Sequence, residues 1–319
     1  MTHNLRPTGS QRTDESLRTR WLRACRFHFV PTSVLPAVLG SIIAWSRFGE
    51  FHFRNFLLVI AGVSINHLGL NMIDDVFDYV HAVDKIHVNG KNPYTGGSGV
   101  LAEGSIPAGH MLAASVFCLL ITIVIAIYLT ISVGWLVLIF SLIGILSSVF
   151  YTVPPVRYGY RGFGELGLLI NFGPVICLGA FYVQTKSLAM EPFVISFTLG
   201  FMMWSMIIIN EIPDYEEDRR GGKLNLVARF GKKTGIVLYI AGLIGAYGTI
   251  LLSVLLGVAP FLVLLAFLTV PIAYSSCIVL REKYSDVVGI IPANQVMIKV
   301  HMITGMLLII AYLIAGTFL

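Results

Sequence analysis

Charge is what this chain has least of. Of its 319 residues only 12% are Asp, Glu, Lys or Arg, while 56% are hydrophobic. A soluble globular domain carries about a quarter charged residues, so the composition excludes that class and indicates an integral membrane protein. Apolar segments fill nearly the whole length, among them 111–156 and 234–280 without a charged residue, so no separate soluble domain is expected. Cysteine is also scarce. Cys25, Cys118, Cys177 and Cys277 are scattered and none has CxxC spacing, so a zinc site, a redox motif or a disulfide framework is not expected. A cleavable signal peptide is not expected either, because the first apolar segment starts late and lacks a small-residue cleavage pattern. The net charge of +5 says little about nucleic acid, and no nucleic-acid partner is expected; where the charges lie is more informative.

A span takes about 20 apolar residues, and on that measure the apolar runs make nine transmembrane helices, an all-α polytopic bundle. The first runs from after Arg26 to near Trp45, with Pro31 and Pro36 bending its first half. The second covers 55–78. Two lie in 111–156, broken near Ser132-Val133-Gly134. The fifth and sixth cover 166–185 and 192–212. Two more lie in 234–280, broken at 257–260, and the last covers 293–319. Residues 1–20 are polar and read as a disordered cytosolic tail, with 21–319 a single transmembrane domain.

Lys and Arg mark the cytosolic side. With the N-terminus inside, residues 1–26 before the first helix, 79–109, 154–162, 214–233 and 281–283 carry 18 of the 22 basic residues. The expected topology is therefore N-in and C-out in the cell membrane, with the polar loops after helices two, four and six cytosolic.

The second helix ends in Asn71-Met-Ile-Asp74-Asp75-Val-Phe-Asp78. On a continuous helix Asn71, Asp75 and Asp78 share one face. Acids at a membrane helix end are costly unless paired, hydrated or metal-bound. Oxygen donors without Cys or His suit a hard cation, and Mg²⁺ typically arrives with substrate phosphates. A solvated helix end or an ion path explains one such stretch equally well. A second copy favours the metal: Asn210-Glu-Ile-Pro-Asp214-Tyr-Glu-Glu217-Asp218 also ends an apolar run. Two such faces opposed, rimmed by Arg and Lys, suit the binding of a diphosphate through Mg²⁺. If the diphosphate is allylic, the same contacts stabilise it as a leaving group.

These features resemble the UbiA superfamily of intramembrane prenyltransferases over almost the whole chain. Within it the chain is most similar to the branch that prenylates 1,4-dihydroxy-2-naphthoate in menaquinone synthesis. Three stretches carry the resemblance: Asn71-x-x-x-Asp75-x-x-Asp78 with Asp84 after it, Tyr158-Gly-Tyr-Arg161-Gly-Phe-Gly-Glu165, and Asn210-Glu-x-x-Asp214-x-x-x-Asp218 followed by Gly222-Lys223. The resemblance implies that Asn71, Asp75, Asp78, Asp214 and Asp218 hold Mg²⁺, the four aspartates being catalytic, and that Asn210 joins them at the diphosphate. It implies that Arg26, Arg161 and Lys223 meet the diphosphate. The implied partners are a polyprenyl diphosphate, an aromatic quinone precursor and the lipid bilayer.

Two features depart from the pattern: Asp74 stands where many relatives have Asn, and the Gly96-Gly-Ser-Gly99 segment is unlike the best-known bacterial members. Tyr151 and Tyr160 are candidates to contact substrate, although with Tyr158 they also suit an interfacial aromatic belt. His67 and His301 read as packed core histidines rather than bases. Glu165 and Glu211 suit either ligand orientation or pairing with Arg. Rival acceptors are 4-hydroxybenzoate, homogentisate, a haem vinyl group and glyceryl ether phosphates. A cation-coupled transporter is the rival class, but it places its acids at mid-bilayer on broken helices. A CDP-alcohol phosphatidyltransferase lacks support because its Asp-Gly-x-x-Ala-Arg signature is absent.

Overall fold

The structure, a computed structural model, describes residues 15–81, 94 and 97–318. Asp84 and Gly96, singled out above, lie outside the described residues. Those residues fold into helices and contain no strand.

The helices in chain order are α1 (Leu17–Ala24), α2 (Val30–Phe48), α3 (Phe53–Val80), α4 (Ala108–Ser132), α5 (Leu136–Phe150), α6 (Gly164–Ile170), α7 (Ile176–Thr185), α8 (Met190–Arg220), α9 (Leu226–Phe230), α10 (Lys232–Leu255), α11 (Val270–Lys283) and α12 (Ile291–Phe318). A π-helical turn, Asn171–Val175, joins α6 to α7, and a 3₁₀ stretch, Phe261–Thr269, leads into α11. Eight of the resulting segments among the described residues are long and apolar enough to span a bilayer, and Leu136–Phe150 is a shorter apolar ninth. These match the nine expected segments, with breaks where Gly134 and Gly257 adopt positive φ.

Two helices outrun the hydrocarbon. At about 1.5 Å per residue the 31 residues of α8 are longer than a core of about 30 Å needs, and its polar residues from Asn210 onward lie on its last turns. The expected end at residue 212 was two turns too early. Pro213 does not stop the helix, and Asp214 and Asp218 ride on its extension. The 28-residue α3 likewise carries Asp74 to Asp78 on its final turns.

The short helix α1 begins inside the stretch expected to be a tail. Ser16 caps it by accepting from the Thr19 amide. Its Ala24 and Trp21 pack with Met72, Val76, Val100 and Leu101, so the N-terminal segment lies over the end of α3. Pro31 falls in the first turn of α2, where no intrahelical amide bond is lost, while Pro36 lies inside.

Apolar lipid gives no hydrophobic drive for helices to pair, so close packing and interhelical hydrogen bonds hold the bundle. The central helix α8 runs against α10, α6, α12 and the π turn. Trp204 Nε1 and Ser205 Oγ donate to the Leu238 and Tyr239 carbonyls of α10, each at 3.0 Å. Glycine permits the tightest approach. A methyl group at Gly200 would lie 2.5 Å from the Leu169 carbonyl oxygen, and one at Gly173 would lie 2.9 Å from that of Ser196. Peripheral α4 is mostly turned outward, with Phe117, Val124 and Ile131 exposed as lipid-facing residues should be.

Candidate active site

The acidic ends of α3 and α8 face one another across a chamber of about 860 Å³. Asn71, Asp74 and Asp78 line one wall; Asn210, Glu211, Asp214, Glu217 and Asp218 line the other. Arg23, Arg26, Lys223, Gly97 and Ser98 form the rim, and Leu168, Phe172, Met203 and Met206 the apolar floor.

Four of the wall residues, Asn71, Asp74, Asp78 and Asn210, are each held by a neighbour distant in sequence. Asn71 Nδ2 donates to the Cys25 carbonyl oxygen at 2.9 Å, which ties α3 to the turn carrying Arg26. Arg26 itself sits in the left-handed region (φ 46°), a conformation that a non-glycine residue holds only when its surroundings insist. Its guanidinium pairs with Asp75 and lies 3.6 Å from Asp74. Asp75 also accepts from the Ser98 amide at 2.9 Å and is almost fully buried. It is therefore turned from the chamber toward Arg26 and the following loop, while Asp74 occupies the wall.

Asp78 is gripped from two sides. Tyr160 Oη donates to one oxygen at 2.5 Å and Lys223 Nζ to the other at 2.8 Å. Lys223 also lies over the Tyr160 ring, 5.6 Å from its centroid. Burial disfavours the Lys223 ammonium, but Asp78, Asp74 and Asp218 outweigh that and hold its pKa well above the usual lysine value. Burial, and then the charge of Asp78, push the Tyr160 phenol well above its ordinary range, so it stays a donor. Burial also lifts Tyr158 to about 12.

On the opposite wall Asn225 Nδ2 donates to Asp218 at 2.6 Å, and the same side chain caps α9 by accepting from the Ala228 amide. Glu165 accepts from the Leu226 amide at 2.6 Å, which pins the start of α9 to α6. Asn294 Nδ2 of α12 donates to Asn210 Oδ1 at 2.8 Å. The segment from Lys223 to Leu226 thus fastens α3, the 158–161 turn, α8 and α6 in succession; its Leu224 amide bonds the Tyr160 carbonyl.

The structure gathers Asn71, Asp78, Asn210, Asp214, Asp218, Arg26, Lys223 and Tyr151 around the chamber. Tyr160 stands behind Asp78, and Asp75 behind Arg26. Arg161 is not brought in: it is exposed and its guanidinium donates to the Pro155 carbonyl oxygen at 2.8 Å. Arg23 and Asn225 line the chamber without having been singled out, and so does Glu217, which belongs to the second motif but was given no role. Glu217 was legible as the acid three residues after Asp214. Asn225 carries the signature of a helix N-cap. Nothing local marks Asn294.

Oxygen donors suited to Mg²⁺ are present on both walls, and the Asp74 Oδ1 atom is buried without a hydrogen-bond partner. Among the described residues no three His, Cys, Asp or Glu side chains converge on one point. Mg²⁺ usually takes one or two carboxylates and fills its remaining positions with water and phosphate. The residues fit the ion.

A second, apolar cavity of about 140 Å³ lies deeper, between α3, α4, α5 and α7. His67, Leu70, Tyr151, Leu168 and Phe172 line both spaces and form the neck between them.

Comparison with known proteins agrees with this architecture. The 1,4-dihydroxy-2-naphthoate octaprenyltransferase of Bacillus subtilis is 26% identical over 246 residues, 77% of either chain. The 2-carboxy-1,4-naphthoquinone phytyltransferase of Synechocystis is 25% identical over 309 residues, covering 95% of this chain and 96% of that one. A UbiA homologue from Archaeoglobus fulgidus, solved bound to DMAPP and Mg²⁺, superposes with a TM-score of 0.53 at 14% identity, covering 94% of this chain and all of that one. The profile of the UbiA prenyltransferase family matches residues 33–287. With most of its length matched and its two acidic helix ends opposed across one chamber, this chain belongs to the UbiA prenyltransferase family.

Proposed function

We propose that the protein transfers a polyprenyl group from an allylic diphosphate to a bicyclic aromatic acceptor, 1,4-dihydroxy-2-naphthoate. The observation that carries this reading is a single chamber with acidic walls, a basic rim and an apolar floor. Each part matches one part of the donor. Asp74 and Asp78 on α3, with Asp214 and Asp218 on α8, offer the carboxylates, one or two of which would hold each Mg²⁺, with the Asn71 and Asn210 side chains beside them. When bound, the ion offsets the negative charge that builds on the diphosphate as the C–O bond ionises.

Lys223, Arg26 and Arg23 supply fixed positive charge at the rim. Such charge is strongest where water is excluded and no reorganisation is needed. Tyr160 and Lys223 keep Asp78 in one orientation. The floor and neck of Leu70, Leu168, Phe172 and Met203 shield the allylic cation from water, and the deeper cavity accepts the chain beyond it. The ring then approaches with its nucleophilic carbon about 3–3.5 Å from C1. It takes the prenyl group as its carboxylate leaves as CO₂.

The acceptor rests on the naphthoate relatives and on the Tyr158 to Glu165 and Asn210-Glu211 segments. The acidic walls are silent about the ring. Purified protein with Mg²⁺ and labelled prenyl diphosphates of several lengths should prenylate 1,4-dihydroxy-2-naphthoate with release of CO₂, and 4-hydroxybenzoate poorly. Preference for 4-hydroxybenzoate or a glyceryl phosphate at every chain length would overturn the acceptor. The chamber is proposed to face the cytosol of a cell-membrane protein, as the Lys and Arg distribution indicates. Single cysteines placed at 214–233, on a background lacking the four native ones, should be labelled from the cytosolic side alone.

A further inference from the structure

His67 lies on α3 four residues before Asn71, so on the same face and about 6 Å deeper along the helix axis. On the prenyl-transfer reading, the diphosphate is held at the Asn71 to Asp78 level. The atoms one step further from the diphosphate, C1 of the donor and the ring that attacks it, therefore meet the wall at the level of His67. The residue lines both the chamber and the deeper cavity.

The imidazole is fixed from two directions. Ser33 Oγ on α2 hydrogen-bonds Nδ1 at 2.5 Å. Phe172 from the π turn meets the ring edge-on, with centroids 5.6 Å apart and planes at 89°. Among the described residues no protein atom hydrogen-bonds Nε2. Its neighbours at the neck are Leu70, Leu168 and Phe172, none of which has a polar side chain, and Tyr151. A polar ring nitrogen held rigidly at a neck whose other lining is Leu70, Leu168, Phe172 and the Tyr151 phenol is suited to a ligand that brings its own hydrogen-bonding group. The prenyl donor has none at that depth. A phenolic acceptor has.

We infer that His67 Nε2 is the hydrogen-bond partner of a ring hydroxyl of the aromatic acceptor, and that Ser33 is the positioning residue that sets the imidazole. This rests on the prenyl-transfer reading above and adds the group that recognises the acceptor. Either tautomer serves, since a hydroxyl donates as well as accepts. Sites built around a substrate hydroxyl discriminate strongly against the analogue lacking it, because the buried partner is left unpaired.

The test separates donor from acceptor. His67→Ala should lower kcat/KM for the acceptor by roughly 10- to 100-fold, the scale of an unmet buried polar group. It should leave the donor KM and Mg²⁺-dependent donor binding unchanged, which also shows that the variant is folded. His67→Gln, whose amide reaches the position of Nε2, should recover most of the loss. Ser33→Ala should fall between. Wild type should discriminate against one mono-O-methyl ether of the acceptor, and His67→Ala should lose that discrimination.

Unchanged acceptor kinetics in His67→Ala, or equal losses for donor and acceptor, would overturn the assignment. If wild type prefers a one-ring phenol, the naphthoate reading fails while the His67 series still reads out on that phenol. If it prefers a glyceryl phosphate, which has no ring, both fail.

Discussion

Lys223 faces three of the wall carboxylates, Asp78, Asp74 and Asp218, so its removal tests how the acidic chamber is held together before substrate arrives. Its Nζ lies 2.8 Å from Asp78 Oδ2, with the side chains only 14% and 4% exposed. Breaking a fully buried pair by removing one partner costs about 3–5 kcal/mol. Here both residues border a large chamber that water can enter, and Tyr160 still donates to Asp78. The expected loss for Lys223→Met is therefore smaller, about 2–3 kcal/mol.

The variant should melt clearly earlier than wild type in detergent with a chelator present. Because the freed carboxylates gain more from a divalent cation, Mg²⁺ should then raise its melting temperature more than that of wild type, by mass action on the folded state. The pH dependence has a definite sign. The folded pKa of Lys223 lies above its ordinary value of 10.5. Its contribution is complete below that value and is lost as pH rises through the folded pKa. Wild type should lose this stability only in strong alkali, and Lys223→Met should lack that part of the alkaline limb. Equal melting of the two proteins in chelator, or equal gains from Mg²⁺, would refute the reasoning.

Asp214→Asn should abolish turnover while leaving a folded protein, and wild type should need Mg²⁺ or Mn²⁺; full activity of the variant, or of wild type in excess chelator, counts against the metal assignment. Gly200→Ala should lower the melting temperature, since the added methyl would crowd the Leu169 carbonyl oxygen at 2.5 Å and overpacking costs about 1–3 kcal/mol. Gly248→Ala, where nothing lies within 4 Å, should leave stability unchanged or raise it by up to about 1 kcal/mol. Arg161→Ala should change donor kcat/KM by less than about 3-fold, because the side chain is exposed and off the chamber and exposed charges contribute little.

Much of this molecule was legible because a lipid environment makes local sequence decisive. A spanning helix must satisfy its backbone hydrogen bonds within its own segment, so the apolar runs and the Gly134 and Gly257 breaks mark the helices without help from tertiary contacts. The repeated Asn-x-x-x-Asp pattern at the ends of α3 and α8 likewise announced two acidic faces. The end of α8 was misjudged because hydropathy falls at residue 212, whereas a helix ends where its backbone partners do.

The sequence by itself determined the membrane class, the number of apolar segments and which two helices carry the acids. Only the tertiary structure decided what each side chain meets. Asp74 and Asp75 are neighbours in the chain, yet successive residues on a helix point about 100° apart. The rotation of α3 about its axis therefore chooses which one faces the chamber, and packing against α1, α2 and α4 sets that rotation. Arg161 was carried out of the site, and Asn294 and Tyr160 were brought to it, by contacts 84 and 82 residues apart in sequence. Ser33 reaches His67 across 34 residues, between two different helices. No local pattern encodes such pairings, because they follow from the fit of one helix surface against another.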